Sequence, residues 1–181
     1  MTTELHHYVL IDGALNPNAL PLLYAPNMAG TVVPILAGTP HAPLSASGPL
    51  LASVGPDSQI AERWQSGQVP FRHAWWLSSA HAIDELAVLW RRRLLMSAPS
   101  NRRVWLRFAD ARVIARGFEL HALPSGFWRG TTTFQLPGQA MCSPIDTDAN
   151  EALDEQVDTL FRLDERQLNA LAAVPSFQEN A

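Results

Sequence analysis

Two aspartates stand where catalytic carboxylates are often found. Asp12 and Asp110 each follow a predicted strand, and many α/β enzymes place their active-site acids at strand ends. With a histidine such as His73 they would form the acid–base set of a small hydrolase, provided that the side chains converge in a pocket. Each acid also has an ordinary structural role, because Asp12-Gly13 is typical of a turn and Asp110 of a helix N-cap. We favour the structural roles and keep the hydrolase as the alternative.

The other residue types that carry chemistry do not form a recognisable site. None of the six histidines has the H-x-x-x-H spacing of a metal-binding helix, and Cys142 is the only cysteine. The sequence contains neither a G-x-S-x-G elbow nor a G-x-G-x-x-G loop, and it contains no lysine. We therefore predict no catalytic residue, no metal and no cofactor.

Charge is distributed unevenly along the 181 residues, all 13 basic residues being arginine. Residues 1–141 hold 11 arginines and 8 acids, whereas residues 142–181 hold 2 arginines and 9 acids. An acidic segment of this kind repels nucleic acid, so we expect no nucleic-acid partner. We read no signal peptide and no apolar run long enough to span a bilayer. The expected location is the cytoplasm, with no membrane partner.

Apolar periodicity predicts strands that alternate with short helices. The strands are expected over residues 8–11, 31–36, 49–54, 71–77, 103–108 and 131–136. Helices are expected after Asn16, between Asp57 and Gly67, over residues 80–95 with Ser78 and Ser79 as caps, and after Asp110. The pattern predicts an α/β fold: a mixed sheet with flanking helices, plus a small C-terminal helical lobe.

The chain is predicted to divide into a body, residues 1–138, and a linker with an acidic helical lobe, residues 139–181. In the second part Leu153, Val157, Leu160 and Phe161 fall on one face at helical spacing. Asp164 and Gln167 then form a capping box before a last helix, with Leu163 and Leu168 at the staple positions around it.

Several motifs together resemble a bacterial family, in the family's order. Residues 8–14 resemble its opening Y-x-L-x-D-G-A, residues 36–39 its strand ending in G-T, and residues 48–51 its G-P-x-L. Residues 77–95 are similar to its S … L … R-x-L-L, and residues 106–113 to its F-R-Y-x-D-P-R-V, with Ala111 in place of the proline. The family is that of the type VI secretion effector chaperones, or adaptors (Tap/TEC), first catalogued as a domain of unknown function. The resemblance covers roughly residues 8–118.

The resemblance implies a cytoplasmic adaptor that holds a toxic effector, often by its N-terminal region, and delivers it to the VgrG spike. It implies no catalysis and no cofactor. It also gives the motif residues Asp12, Gly13, Arg107, Asp110 and Arg112 an architectural role, in which an arginine pairs with an aspartate to tie strand ends together.

Two surfaces are candidates for gripping the partner. The first is the acidic lobe, where Leu153, Val157, Leu160 and Phe161 would form an apolar stripe flanked by acids; the alternative is that this stripe packs onto the body. The second is Phe127 with Trp128 in irregular structure, since loop aromatics are frequent hot spots but equally often fill a core.

Overall fold

The computed structural model describes residues 4–144 and 160–172 of the chain. Its strands are β1 (His6–Asp12), β2 (Val32–Pro34), β3 (Pro49–Ser53), β4 (Trp75–Ser79), β5 (Leu95–Ser97), β6 (Arg103–Trp105) and β7 (Thr133–Gln135). Its α-helices are α1 (Ala19–Leu23), α2 (Ile60–Gln65), α3 (Ile83–Arg91), α4 (Ala111–Glu119) and α5 (Glu165–Ala172). Short 3₁₀ turns cover Ala42–Leu44 and Pro99–Asn101. Within these ranges no helix is long and apolar enough to cross a membrane.

Five strands form one sheet in the order β2-β3-β1-β4-β7, with β1 at its centre. The predicted α/β class is confirmed. The pairing within this sheet is antiparallel at each described ladder and not of mixed direction. The strands next to β1 both run opposite to it, so no parallel neighbours are brought together by a crossover helix.

Both faces of β1 are buried, which explains its uninterrupted apolar run. Side chains alternate across a strand, so Tyr8 and Leu10 enter one core cluster while Val9 and Ile11 enter the other. The larger cluster lies under α3 and α4, and the smaller one is covered by α1 and α2.

Aromatic rings fill much of the larger core. The Trp75 ring makes edge contacts with Trp90 at 5.4 Å and with Trp128 at 6.1 Å between centroids. Trp128 stacks on Phe134 at 4.3 Å, and Phe127 meets Trp90 edge-on at 5.6 Å. Phe127 is fully buried and Trp128 is 6% exposed, so neither offers a surface to a partner in this structure. Of the two roles that the sequence left open, the structure shows the one in which their loop folds inward and the rings complete the core; contact with a partner stays a prediction.

The predicted boundaries of the fourth strand and of α3 are wrong by several residues. Ser78 and Ser79 were expected to cap the helix, but both belong to β4, where Ser78 lies opposite Thr133 of β7. The helix begins at Ile83 after Ala82, and Leu95 already belongs to β5. The ladder to β1 and β7 outweighs the local capping preference of serine.

The second sheet is a ribbon of β5 and β6 to which a later segment adds. The backbone N–H of Ser97 donates to the carbonyl of Phe161 at 2.8 Å, and the N–H of Leu163 donates to the carbonyl of Ser97 at 2.9 Å. Leu160 and Phe161 are therefore not in the predicted helix, because this stretch pairs in parallel with the end of β5. The other two stripe residues, Leu153 and Val157, lie outside the described residues.

The last helix follows the capping rules that its sequence indicates. The side chain of Asp164 accepts the N–H of Gln167 at 2.7 Å, and the side chain of Gln167 accepts the N–H of Asp164 at 2.9 Å. Leu163 and Leu171 then join the larger core. The described part of the predicted lobe thus packs against the body, and the division of the chain at residue 138 stays a prediction.

Arg93 is a buried cation that joins α3 to the irregular segment around Phe127. It is 1% exposed. Its Nε donates to the carbonyl of Phe127 at 2.5 Å, its Nη2 to the carbonyl of Arg129 at 2.6 Å, and its Nη1 to the carbonyl of Leu89. The guanidinium carbon also lies 4.4 Å from the centre of the Trp90 ring. The side chain therefore binds two carbonyls of the irregular segment, those of Phe127 and Arg129, and one carbonyl in the last turn of α3, that of Leu89.

Replacing Arg93 with methionine should lower the free energy of unfolding by about 3 kcal/mol or more, because three carbonyls lose a charged donor while the volume is roughly kept. Urea denaturation measures the change. Arg92→Met is the matched control, since Arg92 is exposed and its loss should cost about 0.5 kcal/mol or less. Equal stability of the two variants would contradict this role.

Candidate functional site

Asp12 ends the central strand and fixes the turn that follows. Its Oδ1 accepts the backbone N–H groups of Ala14 at 2.9 Å and Leu15 at 3.2 Å. Its Oδ2 accepts Nε of Arg107 at 3.0 Å and Nη2 at 2.7 Å. The predicted turn role of Asp12 and its predicted pairing with an arginine are both observed. Arg107 follows β6, so the ion pair connects the central sheet to the ribbon.

Asp110 forms the second pair and begins α4. Its Oδ1 accepts the N–H of Arg112 at 3.0 Å, as an N-cap does, and also Nε of the same residue at 3.0 Å. Its Oδ2 accepts Nη2 of Arg112 at 2.8 Å. The N–H of Ala111 donates to the carbonyl of His73 at 2.8 Å, which places the histidine's backbone at the start of the helix.

The titration of these groups follows from burial and from the arginine. Burial raises the pKa of Asp110, but the hydrogen bonds and charge of Arg112 outweigh burial and leave it below its usual value. The hydrogen bond to Asp110 raises the pKa of Arg112. Burial, followed by the positive charge of Arg112, lowers the pKa of His73. At neutral pH the aspartate is thus ionised and the histidine is neutral.

This arrangement does not support the hydrolase alternative. Asp12 is 6% exposed and Asp110 is 3% exposed, and each carboxylate has both oxygens engaged by an arginine or a backbone donor. A general acid or base needs to exchange a proton with a substrate, which a buried and ion-paired carboxylate is poorly placed to do. In the described ranges no three His, Cys, Asp or Glu side chains are grouped as metal ligands.

An open groove lies beside the Asp12–Arg107 pair, with a volume of about 210 Å³. One wall is formed by Leu36 and Leu44 of the loop between β2 and β3 and by Pro49 at the start of β3. The other wall is formed by Leu94 and by Trp105, Leu106, Arg107 and Ala109. Leu44 is 56% exposed and Trp105 is 47% exposed, so large apolar side chains stand at the mouth. This surface, called the groove below, is the candidate functional site.

Gly13 holds the loop wall of the groove against the central strand. Its N–H donates to the carbonyl of Gly48 at 3.0 Å. A β-carbon at this position would lie 2.3 Å from the carbonyl oxygen of Ala46 and 2.9 Å from that of Gly48. The glycine is required by this close backbone approach, because any side chain would push the loop away.

The edge of Trp105 is positioned by the same loop. His41, just before the 3₁₀ turn, meets the indole at 4.7 Å between ring centroids in an edge-on contact. Sequence reasoning placed Trp105 in a strand but did not single it out, and it passed over Leu44. The available signal was the alternation of Arg103, Trp105 and Arg107, which puts an aromatic ring on the charged, outward side of the strand.

Comparison with known families finds one match. The family model described as "Domain of unknown function (DUF4123)" matches residues 7–121, which contain the groove and both ion pairs. No curated protein and no solved structure matches the chain.

Gly13→Ala should lower the free energy of unfolding by about 2 kcal/mol or more, because the new methyl group collides with two backbone carbonyls. Thermal unfolding followed by circular dichroism measures the loss. Gly55→Ala is the matched control, since a β-carbon there meets nothing within 4 Å. Similar melting of both variants would show that the loop tolerates displacement.

The Asp110→Asn variant removes the charge of the Asp110–Arg112 pair but keeps the N-cap of α4, since asparagine also caps helices. The pKa of Asp110 is lower in the folded chain than its ordinary 3.8, so the stabilisation is complete above that value. It is lost as pH falls through the folded pKa. At pH 7 we expect the variant to be less stable by about 1 kcal/mol or more, with the gap to wild type closing below about pH 4.

Urea midpoints at a series of pH values test this dependence, with Asp57→Asn at an exposed position as the control. A gap that stays constant as the solution is acidified would contradict an electrostatic contribution from the Asp110–Arg112 pair.

Proposed function

The chain belongs to the DUF4123 family, and from this membership we propose that it is an adaptor that binds a type VI secretion effector and helps to load it onto the VgrG spike. The family is associated with effector adaptor function in type VI secretion. In this proposal the cargo is a toxin, held by its N-terminal region in the cytoplasm before secretion. The chain contributes binding and no chemistry of its own.

The observation that carries the proposal is the groove, which lies within the matched region. Solvent-exposed leucine and tryptophan side chains next to an apolar depression are what a protein-binding surface needs, since apolar burial supplies affinity. A tryptophan that is half exposed in the free protein gains burial when a partner covers it. Trp105 therefore replaces Phe127 and Trp128 as the aromatic anchor of the proposed interface.

The ion pairs support the same function by making the surface rigid. Arg107 is fixed by two hydrogen bonds to a buried carboxylate, and the loop wall is fixed through Gly13. A surface already ordered before binding pays less conformational entropy when the complex forms. The acidic segment that contains Leu153 and Val157 remains a second proposed contact region. Of its other apolar residues, Phe161 packs partly against the larger core and Leu160 is half-buried.

The adaptor should form a complex with the toxin encoded next to it, stable enough to elute as one species in size-exclusion chromatography. Trp105→Ala should reduce the retained toxin by about tenfold, as expected for an aromatic hot spot. The matched control is Tyr24→Ala, which removes another exposed aromatic ring, at the C-cap of α1; that helix packs against the other face of the sheet.

Addition of the spike protein to the purified complex completes the test, and we expect a ternary species. A toxin and a spike protein that both fail to associate with the wild-type chain would refute the adaptor function.

A further inference from the structure

We propose that the groove accepts one apolar side chain from an acidic, extended segment of the partner protein. This inference rests on the proposed adaptor function and specifies the chemistry of the segment that is gripped. It is based on the size of the groove, the charge around it and the free edge of β6.

The size of the groove fits a side chain better than a small molecule. Its volume of about 210 Å³ lies below the roughly 300–1,000 Å³ of typical ligand and cofactor pockets. An apolar cavity of roughly 150 Å³ is sufficient for benzene, so there is room for a leucine or phenylalanine side chain. The walls match such an anchor because Leu36, Pro49 and Leu106 are apolar and cannot satisfy a polar group.

The charge around the groove favours acidic residues beside the anchor. Between Glu85 and Asp110 the sequence has six arginines and no acid, although one of the six, Arg93, is buried in the core. The acid that lines the groove, Asp12, is already neutralised by Arg107. Within the described residues Arg102 and Arg103 form no salt bridge, and both are exposed. A carboxylate placed here would meet uncompensated positive charge.

Arg103 and Arg107 are placed to contact residues on either side of the anchor. They stand two positions before and after Trp105, so Arg103 shares its side of the strand and lies roughly 7 Å along the chain from it. Half of the Arg107 side chain is exposed even though it is paired, and its Nη1 forms no hydrogen bond to any described residue. This nitrogen is available to a carboxylate of the partner.

The free edge of β6 favours an extended segment. The N–H of Leu106 donates to Leu94 and the N–H of Ala98 donates to Arg102, so the even-numbered residues of β6 face β5. The backbone groups of Arg103 and Trp105 therefore point away from β5. In the described part of the chain β6 pairs with β5 alone, which leaves these groups for a strand-like partner segment.

The test uses a fluorescein-labelled nonapeptide in which aspartate alternates with threonine around a central leucine. Fluorescence anisotropy with the full chain should show saturable binding that weakens as salt is raised. Replacing the central leucine with serine, or the aspartates with lysine, should weaken binding by about tenfold or more.

Matched variants identify the surface. Trp105→Ala should lower the affinity by about tenfold, whereas Tyr24→Ala should leave it unchanged. Arg103→Glu should weaken the acidic peptide and strengthen the lysine peptide, whereas Arg63→Glu on α2 should do neither. Circular dichroism melts of all four variants check that they fold. Equal binding of the acidic and lysine peptides, or equal effects of Arg103→Glu and Arg63→Glu, would overturn the proposal.

The chain's own acids are the competing occupant. Residues 145–159 contain six acids and no arginine. If the peptide binds only after Asp154, Glu155 and Asp158 are changed to the corresponding amides, the groove serves this chain's own segment and the proposal is wrong.

The outcome is separable from that of the adaptor function. A wild-type chain that retains the toxin while Trp105→Ala and Arg103→Glu retain it equally well would leave the adaptor function standing and remove the groove. A wild-type chain that fails to retain the toxin but binds the peptide would refute the adaptor function and leave the groove as a peptide-binding site.

Discussion

The buried carboxylate of Asp12 is the group on which the geometry of the groove depends. One oxygen orders the turn after β1 and the other receives Arg107, so a single side chain fixes the central strand, the turn and the end of β6 relative to one another. Burying a charge is costly unless its partners are in place. The favourable state for Asp12 is therefore the one in which all three segments are assembled. Gly13 adds the second requirement, a backbone close enough to the loop for a hydrogen bond.

The parts of the fold that the sequence predicts correctly are those decided within a few residues. Three examples are the N-cap at Asp110, the capping box of Asp164 and Gln167, and the turn at Asp12. Each depends on residues a few positions apart, and such local patterns have the same meaning in any protein. The apolar run of residues 8–11 likewise predicts the buried strand β1. The pairing of Arg107 with Asp12 spans 95 positions; the family resemblance led us to expect that Arg107 or Arg112 pairs with Asp12 or Asp110, and left open which arginine pairs with which aspartate.

The sequence does not decide features that depend on contacts between distant segments. Phe127 and Trp128 lie in a stretch without periodicity, so their sequence does not distinguish a loop on the surface from one folded into the core. They are buried because Arg93 binds the carbonyls of that stretch from within. The helical spacing of Leu160 and Phe161 is likewise outweighed by backbone pairing with Ser97. Trp105 was placed in the correct strand, but its exposure depends on the loop wall, which no local pattern reveals.

The buried ion pairs lie beneath the half-exposed Trp105. A binding protein needs a stable fold and a surface that suits its partner, and here different side chains meet these two needs. Asp12 and Asp110, which could have been catalytic, instead hold these segments in place, since each accepts hydrogen bonds from an arginine side chain and from the backbone. Arg103, which is exposed and forms no salt bridge among the described residues, then remains as a positive charge near the apolar groove, while the charge of Arg107 is balanced by Asp12. In the proposed complex, charge near the groove would govern the rate of encounter and the choice of partner, while burial of Trp105 and its neighbours would govern how long the complex lasts. Because the two contributions come from different side chains, in the proposed adaptor the charge beside the groove can change to suit another cargo while the buried pairs, and with them the fold, stay as they are.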